Sequence, residues 1–190
     1  MDVSRVYVWE SAFNVGAWLA SRPDITEGLD VCELGCGIGV PSLVAAKGAR
    51  SVTATDLSVT AVDVLRSVAA VNKMPPHFRA CTLDWFDFLR GAFKPPVDPV
   101  DVLLLADVHY YKDAVPALLA TCDCLCRPGG LIILGSKLGR IGLDPFQQQL
   151  VQGNSQADGS AEYVLEEEHK PSVEHRIWLY RRTTGARRHQ

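Results

Sequence analysis

Three glycines alternate in Glu33-Leu34-Gly35-Cys36-Gly37-Ile38-Gly39-Val40-Pro41, with an acid two places before the first and another, Asp56, 17 residues after the last. Glycines at this spacing permit a tight turn and a close approach of a ligand to the backbone. A helix that begins just after them offers unpaired N–H groups to an anionic group. Asp56 ends a β-branched run, where a carboxylate at the carboxyl end of a neighbouring strand can accept both hydroxyls of a ribose. It also stands two places before Ser58, so a purely local capping role is the alternative. The spacing narrows the ligand. A dinucleotide fingerprint needs glycine at the sixth position, where Val40 stands, and no Gly-Lys-Ser or Gly-Lys-Thr follows for a P-loop.

Two further groups carry chemical potential. Asp84-Trp85 sets a carboxylate beside an indole, a pair that could bind and stack on an adenine or serve simply as core or rim. Asp107-Val108-His109-Tyr110 follows a nearly continuous apolar run; by itself it also reads as a turn whose Asp caps the next helix. His109 and Tyr111 read as rim residues. Gly135-Ser136-Lys137-Leu138-Gly139 is out of register with the Gly-x-Ser-x-Gly nucleophile elbow. Cys122, Cys124 and Cys126 lack the two-residue gap of zinc sites and no fitting second pair follows, so they read as core and helix surface, with no metal expected.

Holding these residues requires strands and helices in alternation. Residues 29–34, 51–55, 78–83, 100–106 and 131–136 read as buried strands, and 42–47, 59–71, 114–126 and 144–152 as the helices between or after them. Ser58 is placed to cap the second of these helices, and Pro75-Pro76 forbids its continuation. Arg127-Pro128-Gly129-Gly130 reads as the turn before the fifth strand, and 153–160 as a polar loop. Two last strands, 163–168 and 177–180, have no helix between them and are expected as an antiparallel edge pair. The expected fold is α/β: a doubly wound, mostly parallel seven-stranded sheet. One domain over 1–190 is expected, with its core at about 9–182 and a flexible basic tail at 183–190.

Composition bounds the function classes. No stretch free of Asp, Glu, Lys and Arg exceeds 13 residues, whereas a bilayer span needs roughly 20 apolar ones. Asp2, Arg5 and Glu10 interrupt the start, so no secretory signal is read, and a cytoplasmic or nuclear address with free thiols is expected. Net charge is −3, but five arginines fall in residues 176–190, leaving 14 basic against 22 acidic residues elsewhere. An acidic body disfavours nucleic acid and suits a basic protein segment as partner.

Taken together, Val8-Trp9-Glu10-Ser11-Ala12, residues 33–39, Asp56, Leu83-Asp84-Trp85 and Asp107-Val108-His109-Tyr110 resemble the motifs of class I, seven-strand S-adenosylmethionine-dependent methyltransferases. More narrowly, the chain is similar to the protein-lysine methyltransferases of methyltransferase family 16, whose Asp-x-x-Tyr signature matches Asp107 and Tyr110. The resemblance runs from about Trp9 to Arg182. It implies S-adenosylmethionine as cofactor, with Gly35 and Gly37 beside its methionine portion, Trp9 closing that end, Asp56 on the ribose, and Asp84 with Trp85 at the adenine. Glu33, Leu57 and Ala106 complete the implied cofactor set. Asp107 and Tyr110 would face the transferable methyl and the entering acceptor, and the implied reaction methylates a lysine of a protein substrate, with the enzyme a monomer. An arginine or small-molecule acceptor, or a silent binding module, are the alternatives. Family members usually carry an additional segment before the Trp motif, where this chain has eight residues.

Overall fold

The computed structural model describes residues 9–91, 94–109, 111–152 and 163–183. Its parallel strands are β1 (Asp30–Leu34), β2 (Ser51–Asp56), β3 (Phe78–Thr82), β4 (Val100–Ala106) and β5 (Cys126–Lys137). The last two, β6 (Tyr163–His169) and β7 (His175–Arg182), run antiparallel, as expected. The sheet order is β3-β2-β1-β4-β5-β7-β6, so the order reverses between β1 and β4. Ligands of open α/β sheets bind beyond the carboxyl ends of the strands at such a reversal.

Side chains alternate across each strand, and both faces are covered, which is why β4 is apolar at nearly every position. Leu103 and Leu105 share one core with α5 (Val115–Leu125) and α6 (Leu143–Gln152). Val102 and Leu104 share another with α1 (Glu10–Ser21) and α2 (Val40–Ala45). Between β2 and β3, α3 (Val59–Val71) buries Ala61, Val62 and Leu65, and the Ser58 hydroxyl caps it by accepting from the Ala61 N–H at 3.3 Å. Cys122 and Cys126 are buried in the first core while Cys124 is exposed, in line with their reading as core and helix surface.

Among the described residues, two α-helices escape the sequence reading. α4 is a single turn (Asp87–Arg90). α1 buries Ser11, Val15, Trp18 and Leu19, a helical stripe hidden inside a segment read only for its Trp-Glu-Ser-Ala motif. Its seat on the sheet is Gly135, where a Cβ would lie 2.2 Å from Val15 Cγ2. Gly135→Ala therefore is expected to lower stability by about 2–3 kcal/mol through overpacking, read as a lower midpoint in urea denaturation.

The expected turn at 127–130 needs correction. α5 stops at Leu125 and pairing of β5 begins at Cys126, opposite Val100; it resumes with Leu131 opposite Val102. Residues 127–130 are thus an insertion in the ladder, with Gly129 at φ 79° and Pro128 lacking a ladder N–H. At this amino end of the sheet, Arg50 and Arg127 each pair with both Asp30 and Asp101, tying β1, β4 and β5 together. The Arg50 fork holds the Asp30 carboxyl well below the usual range. The loop expected at 153–160 and the tail beyond Thr183 lie outside the described residues. Among the described residues, no helix is long and apolar enough to cross a membrane.

Candidate active site

At the carboxyl end of β1 the chain turns through Gly35 at φ 66° and Gly37 at φ 52°, a conformation that side-chain-bearing residues rarely adopt. A Cβ on Gly35 would meet Val108 Cγ1 at 2.8 Å and Trp85 Cζ2 at 3.3 Å. The loop is therefore wedged between the residue after Asp107 and the indole of Trp85, which forms its wall. Asp56 has the local role foreseen as the alternative for it. Its Oδ2 accepts from the Gly37 N–H at 2.9 Å, its Oδ1 from the Ser58 N–H at 2.8 Å. A carboxylate offers about four lone-pair sites, so two remain for a vicinal diol at the loop.

Beyond β2 and β3 opens a cleft of about 480 Å³, lined by Leu57, Val59, Thr82, Leu83, Asp84, Asp87, Lys94 and Pro96. Its lining mixes apolar side chains with a hydroxyl, two carboxylates and an amine, and the volume falls within the usual range for small-ligand pockets. The Asp84 Oδ1 accepts from the Phe86 N–H at 3.0 Å, and Arg90 lies 3.5 Å from its Oδ2.

Glu33 sits beneath the loop. It is 1% exposed, and its Oε2 accepts from the Ser42 N–H at 3.0 Å and, through a very short bond, from the Ser42 hydroxyl. It ties β1 to the first turn of α2 and supports the glycine loop from below. Burial pushes its carboxyl up to about 8. Between the usual 4.5 and about 8, the folded protein keeps a proton that the unfolded chain has released, so stability falls as pH rises through that window. His109 acts oppositely, since burial pushes it down to about 4 from the usual 6.5, and its contribution is complete above pH 6.5. Urea midpoints between pH 6.5 and 8 are expected to fall for the wild type and stay level for Glu33→Gln.

On the other side of β1, Ala106 ends β4 and Asp107 turns away at φ 58°, its N–H donating to the Gly135 carbonyl at 2.8 Å. The Asp107 side chain is only 4% exposed. Arg140 claims both its oxygens, Nε donating to Oδ1 at 2.8 Å and Nη2 to Oδ2 through a shorter bond. The Trp9 ring covers the guanidinium, with Cζ 5.3 Å from the ring centroid. Trp9 and Asp107 are thereby brought together through a residue the sequence reading missed. Its signal was position: Arg140 follows the fifth strand, on the same sheet end as the other loops.

His109 is 1% exposed, so its expected place on the rim is corrected. Its Nε2 lies 2.7 Å from the Ser136 hydroxyl, and its ring stacks on Phe146. Tyr111 is exposed, as a rim residue should be. Tyr110, the second expected catalytic residue, lies outside the described residues.

Relatives bear on what such a site does. Mouse EEF1A lysine methyltransferase 3 is 34% identical over 149 residues, covering 76% of this chain and 61% of that protein. Mouse protein N-lysine methyltransferase METTL21A is 33% identical over 135 residues, covering 69% and 60%. The chain thus spans about six-tenths of the length of these relatives. Among solved structures, Pyrococcus horikoshii TYW2 in complex with MeSAdo superposes with a TM-score of 0.66 at 17% identity, covering 97% of this chain and 67% of that one. At that identity the likeness speaks for the fold alone. The family described as "Lysine methyltransferase" matches residues 2–151, and with the mouse sequences this places the chain in the lysine methyltransferase family.

Proposed function

We propose that this protein is an S-adenosylmethionine-dependent protein-lysine N-methyltransferase acting on a basic protein segment. One observation carries the reading: Asp56 and Asp107 stand at the carboxyl ends of β2 and β4, on either side of the glycine loop that ends β1. When bound, S-adenosylmethionine supplies a methyl group on a sulfonium, which an amine can displace directly, without a covalent enzyme intermediate. Asp56 would hold the ribose hydroxyls, and Leu57 and Asp84 the adenine, while Gly35 and Gly37 let the rest of the ligand approach the backbone.

The protein's task is then positioning and protonation control. A lysine ammonium has no free lone pair, so the acceptor must arrive neutral or lose its proton to water before transfer. Asp107 orients the amine, and its buried surroundings favour the uncharged form. A silent binding module is the second reading, favoured by the engagement of both Asp107 oxygens with Arg140. Incubation with tritium-labelled S-adenosylmethionine and a cell extract separates the two. Label in methyllysine of a protein fraction, dependent on added enzyme, is the expected result. No such label, or label confined to small molecules, removes the proposal.

A further inference from the structure

Displacement at a sulfonium does not itself require an arginine over the acceptor carboxylate. We infer that Arg140 is a positioning residue for the acceptor, fixing the orientation of Asp107 and cancelling its charge so that the incoming amine meets a neutral pair. The inference rests on the methyltransferase reading above and extends it to the acceptor side.

The clasp is built from both sides. Arg140 forks onto both Asp107 oxygens, and Trp9 lies across the guanidinium. The segment carrying Arg140 is held against the Asp107 turn by the Gly142 N–H, which donates to the His109 carbonyl at 3.0 Å. A Cβ on Gly142 would lie 2.3 Å from that same oxygen, so the two loops touch backbone to backbone. Ser136 adds its hydroxyl 3.5 Å from Asp107 Oδ1.

Charge explains what the clasp achieves. A bare carboxylate stabilises a neighbouring ammonium, the form that cannot attack, whereas a guanidinium stays protonated and opposes it. Among the described residues, His109 reaches Asp107 only through Ser136, and burial keeps its imidazole neutral at neutral pH, while the other charged groups of the surrounding elements have partners elsewhere. Glu33 of β1 meets Ser42, Lys137 of β5 pairs with Glu174, and Glu10 of α1 stands 3.7 Å from His175 of β7.

The test uses the protein fraction labelled by the wild-type enzyme as acceptor, with S-adenosylhomocysteine titration as a control for folding and cofactor binding. Arg140→Gln is expected to bind S-adenosylhomocysteine within about twofold of the wild type and to lose roughly tenfold or more in kcat at neutral pH. Its ascending limb of kcat against pH should move up by about one unit, because the bound amine then deprotonates beside an unneutralised carboxylate. Arg140→Lys, which keeps the charge and loses the fork, should hold the limb in place with reduced kcat. An unchanged limb in Arg140→Gln, or a shifted limb in Arg140→Lys, overturns the inference. If the wild type labels no protein, the methyltransferase reading itself fails and the inference with it.

Discussion

Asp56→Ala is expected to weaken S-adenosylhomocysteine binding by about a hundredfold or more in a calorimetric titration. Hydrogen bonds to a charged group contribute about 1.5–3 kcal/mol each, and the ribose would lose two of them. The substitution also strips the acceptor from the Gly37 and Ser58 N–H groups, loosening the loop that the ligand lies against. Asp56→Asn retains one oxygen and should fall between the two. Both variants should stay folded, since Asp56 is only partly buried and α3 keeps its Ser58 cap. An affinity within threefold of the wild type would place the ribose elsewhere.

Asp107→Asn is expected to keep cofactor affinity and lose about a hundredfold or more in turnover, in the range of a removed acid–base or orienting group. Asparagine is the appropriate probe because it tolerates the left-handed backbone at φ 58°, which a β-branched residue would not. The change leaves Arg140 without its anionic partner, and a positive charge facing an incoming amine works against binding of its protonated form. Arg140 retains solvent contact, so the stability cost should stay at about 1–3 kcal/mol. Turnover within threefold of the wild type would remove Asp107 from the acceptor side.

Much of the architecture was legible because buried parallel strands write themselves as apolar runs. β1, β2 and β4 appear where such runs place them, whereas β7, in the antiparallel closing pair, extends two residues beyond the expected 177–180 at each end. α1 was obscured by a chemical motif at its start, although its buried positions follow a helical stripe. The 127–130 insertion was misread because Pro and Gly signal a break without telling a turn from a bulge inside a ladder.

In the site, Asp56 and the glycines could be read locally, since strand, turn and helix are contiguous there. Glu33 could not: its place among ligand contacts or beneath the loop depends on Ser42, nine residues on, turning back over it. Arg140 and His109 depend on how the β4 and β5 loops meet, a long-range contact that no spacing rule encodes.

The central claim is that this chain holds an adenosyl thioether or sulfonium against the glycine loop, between Asp56 and Asp107. Calorimetric titration of the wild-type protein with S-adenosylhomocysteine tests it without knowledge of any acceptor. A one-to-one isotherm with Kd in the micromolar range, about −7 to −8 kcal/mol, is the expected result. Folded protein that takes up no ligand at millimolar concentration would contradict the account.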